Sequence, residues 1–301
     1  MEHTTSRWPP GTELWPAGTS QQEHNAMTRE GDEQHALSRE GEVQLPCMTT
    51  TAVGILALAR QPPDDSHALL RVVQHDPALV TALLAAAGRD HRARCATVRS
   101  AIERLGLSNA LRVCLDFRLV DSQRAAGIDY IRHWRHTLLT AAYARAIAQR
   151  LRRPDQELLR TAALLRNLGT LLVDRDGHGM DGAGCAGWLA QQGISHRLCE
   201  LIRSSHQPAT SLAQTDSAAA CVLLAATMAE VWLRANWEET LWQTRTLAQQ
   251  LFGAIPDLCE WLYGVLGPQA NDLEVLLGIQ LPHRRQMDSL YREAQALKAE
   301  C

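Results

Sequence analysis

Trp134-Arg-His136-Thr-Leu-Leu-Thr-Ala-Ala-Tyr143-Ala-Arg-Ala-Ile147-Ala-Gln-Arg-Leu-Arg152-Arg153-Pro154-Asp155-Gln156-Glu-Leu158-Leu-Arg-Thr-Ala162-Ala-Leu-Leu165-Arg166-Asn167-Leu-Gly-Thr-Leu-Leu172-Val173 reads as two amphipathic helices joined by a turn at Arg152–Asp155. In the first, Leu139, Ala142, Tyr143, Ala146 and Ile147 recur at helical spacing, and His136 falls on the same stripe. The histidine therefore points inward. The second runs from Gln156 through Leu158, Ala162, Leu165 and Leu172, with the polar pair Arg166-Asn167 in the middle of an apolar sequence.

Working outward toward the N-terminus, a series of short helices precedes this pair. Thr50 to Arg60 carries Val53, Leu56 and Ala57 and stops at Pro62-Pro63. Ser66 caps the next. Asp76-Pro77-Ala78-Leu79 is the most specific local signal, with Asp76 as N-cap and Pro77 at the first helical position. Thr97 caps a helix that ends at Gly106, and Ser108 opens another. The segment from Gly88 to Ala96 reads as a charged, solvated connection.

Toward the C-terminus, Asp174-Arg-Asp176-Gly-His178-Gly-Met-Asp181-Gly fails the calcium-loop template, because its first glycine comes too early and no Glu closes it. A turn is expected there. Cys185 to Gln192 and Ser195 to Ser204 read as helices, the second followed by His206, and Ala218 to Leu233 reads as a long core helix. From Trp237 shorter helices are expected. A final helix from His283 places Met287, Leu290, Tyr291, Ala294 and Leu297 on one stripe, available either to the core or to a binding partner.

Composition agrees with an all-α fold. Hydrophobic residues make up 46% of the 301, aromatics only 5%, and Ala and Leu dominate. The net charge is -3, and up to Pro46 eight acidic residues face three basic ones. This balance speaks against a nucleic-acid binder, and the arginines of 89–99 and 145–153 are spread among acidic neighbours. The eight cysteines form no C-x-x-C pair, so buried free thiols in a reducing cytoplasm are expected. Residues 1–42 lack a sustained apolar period and are expected to be a disordered tail, in which Trp8 and Trp15 stand as incidental aromatics or docking points. No secretory h-region is visible, and the longest apolar run is cut by Glu230, short of the roughly 20 residues that span a bilayer. A cytoplasmic protein without membrane contact is expected.

The motif His136-Thr-Leu-Leu followed by Ala-Ala-Leu-Leu-Arg166-Asn167-Leu-Gly resembles the HD superfamily of metal-dependent phosphohydrolases, in which a His-Asp doublet occupies the place of Arg166-Asn167. A narrower resemblance, to the HDOD signalling domains related to that superfamily, rests on Leu45-Pro46, Asp76-Pro77-Ala78-Leu79 and Ala101-Ile102-Glu103-Arg104-Leu105-Gly106-Leu107. The ending Ala87-Gly88-Arg89 departs from the Ala-Asn-Ser type that family members often carry. The resemblance implies an HDOD-like helical domain over residues 43–235 and a C-terminal helical extension over 236–301.

Mapped through the HD resemblance, the metal ligands fall on His136, on Arg166 and Asn167, and near Thr227, with His206 where related families place further histidines. No aligned carboxylate remains, and arginine cannot ligate a cation. The resemblance therefore implies a protein without catalytic activity, metal or cofactor, acting in bacterial signal transduction by binding proteins or small ligands. Its partners would belong to two-component or cyclic di-GMP pathways, and a homo-oligomer is allowed. Two readings of His136, Arg166, Asn167 and His206 stay open: an internal hydrogen-bond network, or a pocket in which Arg166 meets a phosphate or carboxylate. The alternative function is a divergent phosphohydrolase or phosphodiesterase, for which Asp174 or Asp176 would have to lie beside His136 and His206.

Overall fold

The structure is a computed structural model that describes residues 45–61, 66–89, 94–120, 128–172, 179–212, 217–253, 261, 264 and 284–300. The expected tail, Asp174, Asp176, His178 and part of the charged connection lie outside them. Among the described residues the fold is all-α, with an isolated bridge pairing Pro46 with Arg118.

Five helices come first: α1 (Thr49–Arg60), α2 (Ser66–Val73), α3 (Pro77–Gly88), α4 (Val98–Leu105) and α5 (Leu107–Cys114). Of the expected caps, Asp76 and Thr97 are in place, whereas Ser66 is the first helical residue of α2. The Thr97 side chain accepts from Ser100 N at 3.3 Å. Asp76 does more than cap α3. One carboxylate oxygen accepts from Ala78 N and Leu79 N, and the other from Met48 N at 2.7 Å, tying the start of α1 to the start of α3. Gly106, at φ +74°, both ends α4 and starts α5, so α5 opens at Leu107, one residue ahead of the expected Ser108.

The central pair follows as α6 (Tyr130–Arg150) and α7 (Gln156–Leu165). Arg152, at φ +50°, makes the reversal between them. Here the structure departs from the sequence reading. The α-helix stops at Leu165, Arg166 and Asn167 form a turn, and a 3₁₀ helix takes over at Leu168–Leu171. The polar pair stands in a helix break. Arg160 on α7 donates to Gln74 Oε1 at 3.0 Å, a partly buried cross-link to the turn between α2 and α3.

The second half contains α8 (Gly182–Gln191), α9 (His196–Ser204), α10 (Ala209–Leu212), α11 (Ser217–Val231), α12 (Trp237–Phe252) and α13 (Arg284–Glu300). From Trp237 to Phe252 there is one helix of sixteen residues, along which Thr240, Thr244 and Ala248 form a buried stripe at four-residue spacing, and the shorter helices expected beyond it lie largely outside the described residues. α8 starts earlier than expected, since the Asp181 side chain caps it by accepting from Gly184 N at 2.7 Å. α11 packs along α6 and α7 and is almost wholly buried, as its apolar run requires.

α13 folds back on the protein's own α1. Ala294 is buried, while Met287, Leu290, Tyr291 and Leu297 pack against the core. Tyr291 stacks on Phe117 with ring centroids 5.8 Å apart, and its hydroxyl accepts from Leu119 N at 2.7 Å. Ion pairs Glu293–Arg60 and Lys298–Asp116 flank the contact. Of the two destinations open to this stripe, it takes the core.

Cys47, Cys95, Cys114, Cys185, Cys199 and Cys221 are free and buried. Burial pushes the Cys185 and Cys199 thiols up to about 11 and those of Cys47 and Cys114 well above their ordinary range, so these sulfurs stay protonated and act as small apolar groups.

Candidate functional site

The site is built where α6, the turn after α7 and the end of α11 meet. His136 is buried on the inner face of α6, and its backbone carbonyl accepts from Thr140 Oγ1 at 2.7 Å. Asn167 reaches it from the helix break, with Nδ2 at 2.7 Å from His136 Nδ1. Arg166 Nη1 donates to Asn167 Oδ1 at 3.0 Å, and its Nη2 donates to Ser205 O at 3.2 Å. On the far side of the imidazole, His136 Nε2 stands 3.1 Å from Glu230 Oε1.

These bonds have one consistent direction. A guanidinium only donates, so Asn167 must turn its oxygen to Arg166 and its NH2 to the histidine. His136 Nδ1 is then the acceptor, and Nε2–H donates to the Glu230 carboxylate. The chain Arg166 to Asn167 to His136 to Glu230 closes a row of donors and acceptors across three helices. Both ring nitrogens of His136 are used within it.

Glu230 is the member that sequence reasoning missed. The aligned position was read at Thr227, whose hydroxyl instead returns to Leu223 O at 3.0 Å; the carboxylate comes three residues later, one helical turn on. Its signal was present, as the lone charge on an otherwise apolar helix. The hydrogen bond from His136, assisted by Arg234, holds this carboxyl down at about 2. Burial draws the Arg166 guanidinium down to about 10, against the opposing pull of Glu230. Both remain ionised at neutral pH.

His206 joins the group only at its edge. Nδ1 donates to Ile202 O at 2.9 Å, and the ring lies flat against Gly182, where a Cβ would meet it at 2.3 Å. Burial and the nearby Arg166 charge lower its proton affinity. His133, one turn before His136, is a second unforeseen imidazole. It bonds through Nδ1 to Thr170 Oγ1 at 2.8 Å, while Nε2 is buried with no partner among the described residues. Burial, together with His136, lowers it to about 4. Among the described residues no group of three or more His, Cys, Asp or Glu is placed to hold a metal ion.

The stripe Met287, Leu290, Tyr291, Ala294 and Leu297 has no part in this cluster, since it packs around α1 and Phe117.

The comparisons point to an all-helical class of domain. Residues 45–176 match the HDOD domain family. Among solved structures, the MmoQ response regulator from Methylococcus capsulatus str. Bath has a similar fold, with a TM-score of 0.59 and 22% identity over 72% of this chain and 97% of that one. An HDOD domain protein from Geobacter sulfurreducens aligns at 15% identity over 89% of this chain and 98% of that one, with a TM-score of 0.40. Comparison with curated proteins gives no match.

Proposed function

We propose that this protein is a non-enzymatic regulatory module of bacterial signal transduction, in which the ligand set of HD enzymes has been replaced by an internal scaffold. The observation that carries the reading is the closed row Arg166, Asn167, His136, Glu230. A fixed guanidinium stands at the first place of the lost doublet, where its charge repels an incoming cation. His136 offers no free nitrogen to a metal, and Asn167 in place of Asp supplies no charge. The divalent metal of HD enzymes does not fit these residues.

The pocket version of the notion, with Arg166 gripping an anion by its two terminal nitrogens, has less support, because both are engaged by Asn167 and Ser205. Asp174 and Asp176, on which the phosphohydrolase alternative leans, lie outside the described residues.

As a module, the protein acts by contact. α6 grips the turn between α11 and α12 at two further points: Arg132 Nη1 donates to Leu233 O at 2.5 Å, and Trp232 Nε1 donates to Tyr143 OH at 2.6 Å. A partner that shifts α12 is felt at Glu230, and the reverse holds by linkage. The partners implied by the family resemblance are proteins of two-component or cyclic di-GMP pathways, and a cytoplasmic location suits them. Among the described residues no helix is long and apolar enough to cross a membrane.

The test is the metal content of the untagged protein by elemental mass spectrometry. Less than a tenth of an equivalent of iron, manganese or zinc is the expected result. A near-stoichiometric amount of any of them overturns the scaffold reading.

A further inference from the structure

The two oxygens of Glu230 serve two different layers. Oε1 faces inward to His136, and that layer is closed. Oε2 faces outward, where Arg234 Nε meets it at 2.8 Å and Arg132 Nη2 only at 3.5 Å. On this outer layer two guanidinium groups therefore share one carboxylate, and no other carboxylate meets either guanidinium among the described residues. One positive charge is left over.

The outer layer is also open to solvent. The Arg132 and Arg234 side chains are 47% and 53% exposed, whereas Glu230 between them is 29% exposed. Arg132 is anchored by the Leu233 carbonyl at one terminal nitrogen and holds Glu230 only loosely with the other. The terminal nitrogens of Arg234 make no bond among the described residues, since its contact with Glu230 runs through Nε. Planar, pre-oriented guanidinium groups of this kind match the oxygens of a phosphoryl group.

We propose that Arg132 and Arg234, with Glu230 between them, form an anion site at the mouth of the cluster, and that its ligand is a phosphate dianion carried by a small molecule. The unbalanced charge and the terminal N–H donors of two guanidinium groups set the preference for a phosphoryl group, with its three oxygens, over a carboxylate. Glu230 acts as a built-in competitor that keeps the arginines oriented while the site is empty. The proposal rests on the non-catalytic reading of the cluster, for a bound phosphoryl group here is held and not hydrolysed.

The experiment is calorimetric titration of the full chain with inorganic phosphate at pH 7.5 and fixed ionic strength, with acetate as the monoanion control. Saturable one-to-one binding of phosphate and none of acetate is expected. Arg234→Gln, which removes a group bonded only to Glu230, should weaken it by about tenfold or more. Arg132→Gln should do likewise, and Glu230→Gln should tighten binding by removing the competitor. Circular dichroism melts establish that each variant is folded; should Arg132→Gln or Glu230→Gln unfold, Arg234→Gln decides alone. No saturable heat, or an affinity that Arg234→Gln leaves unchanged, overturns the site while leaving the scaffold reading intact. Incubation with a chromogenic phosphate monoester separates the two, because turnover would overturn the scaffold reading and not the site.

Discussion

Asn167 Nδ2 lies 2.7 Å from His136 Nδ1 while its other amide atom, Oδ1, accepts from Arg166 Nη1, so one side chain holds the guanidinium and the imidazole in register. Asn167→Leu keeps the volume and removes both bonds. It leaves a guanidinium nitrogen and an imidazole nitrogen without partners, and the expected loss is about 2–4 kcal/mol. Urea denaturation measures it. In Arg166→Leu/Asn167→Leu the stranded charge is gone, so the pair should cost less than the sum of the single changes by about 1–3 kcal/mol. Strict additivity would mean that the two residues do not act as a unit.

Asp76 is a second staple, and a titratable one. Burial raises its carboxyl to about 6, against the N–H bonds from Met48, Leu79 and Ala78 that pull it down. A folded value above the unfolded 3.8 means that the group favours the fold most below pH 3.8, and that this contribution is lost as pH rises through 6. Asp76→Asn does not titrate. It keeps the cap on α3 but turns an NH2 toward Met48 N, which should cost about 1–3 kcal/mol in acid. Between pH 4 and 7 the wild type should lose ground to this variant. Chemical denaturation across that range reads the difference, and a constant gap would refute the assignment.

The contact between Tyr291 and Leu119 fixes the last helix to the body of the fold. Tyr291→Phe keeps the stacking on Phe117 and should cost about 1 kcal/mol, with faster hydrogen exchange at the Leu119 amide. Ala294→Arg forces a charge into a buried position against α1. The expected outcome is release of α13, seen as early proteolysis near residue 294 while amides of α6 and α11 stay protected. Equal loss of protection everywhere would show that α13 belongs to the same cooperative unit as the core.

Much of this architecture was legible. Asp76-Pro77 and Thr97 announce their helices because caps are local chemistry, and His136 was placed inward by its spacing from Leu139 and Tyr143. The site was only half legible, for two physical reasons. Arg166-Asn167 sits in a stretch whose apolar pattern continues across the change from α-helix to 3₁₀, so periodicity hides the break. Glu230 was passed over because alignment pointed to Thr227, and only the packing of α11 on α6 brings the next turn to the imidazole. The destination of the Tyr291 stripe could not be read at all, since an amphipathic face looks the same whether its complement is α1 or another protein.

The same cluster sets the response to acid, in two steps of known sign. His133 is held neutral, its folded value lowered to about 4 from an unfolded 6.5. Its contribution is present above pH 6.5 and is lost as pH falls toward 4, because the unfolded chain takes up the proton first. Glu230 follows. With a folded value near 2 against an unfolded 4.5, its contribution is present above pH 4.5 and is lost as pH falls through 2. His133→Asn should remove the loss between pH 6.5 and 4, so that the opposing gain from Asp76 shows as pH falls through 6, and leave the lower step in place. Glu230→Gln should do the reverse, at the cost of the charge-assisted bond from His136. Urea midpoints measured from pH 7 to pH 2.5 on the three proteins separate the steps. A single acid transition unaltered by either substitution would locate the sensitivity elsewhere in the fold.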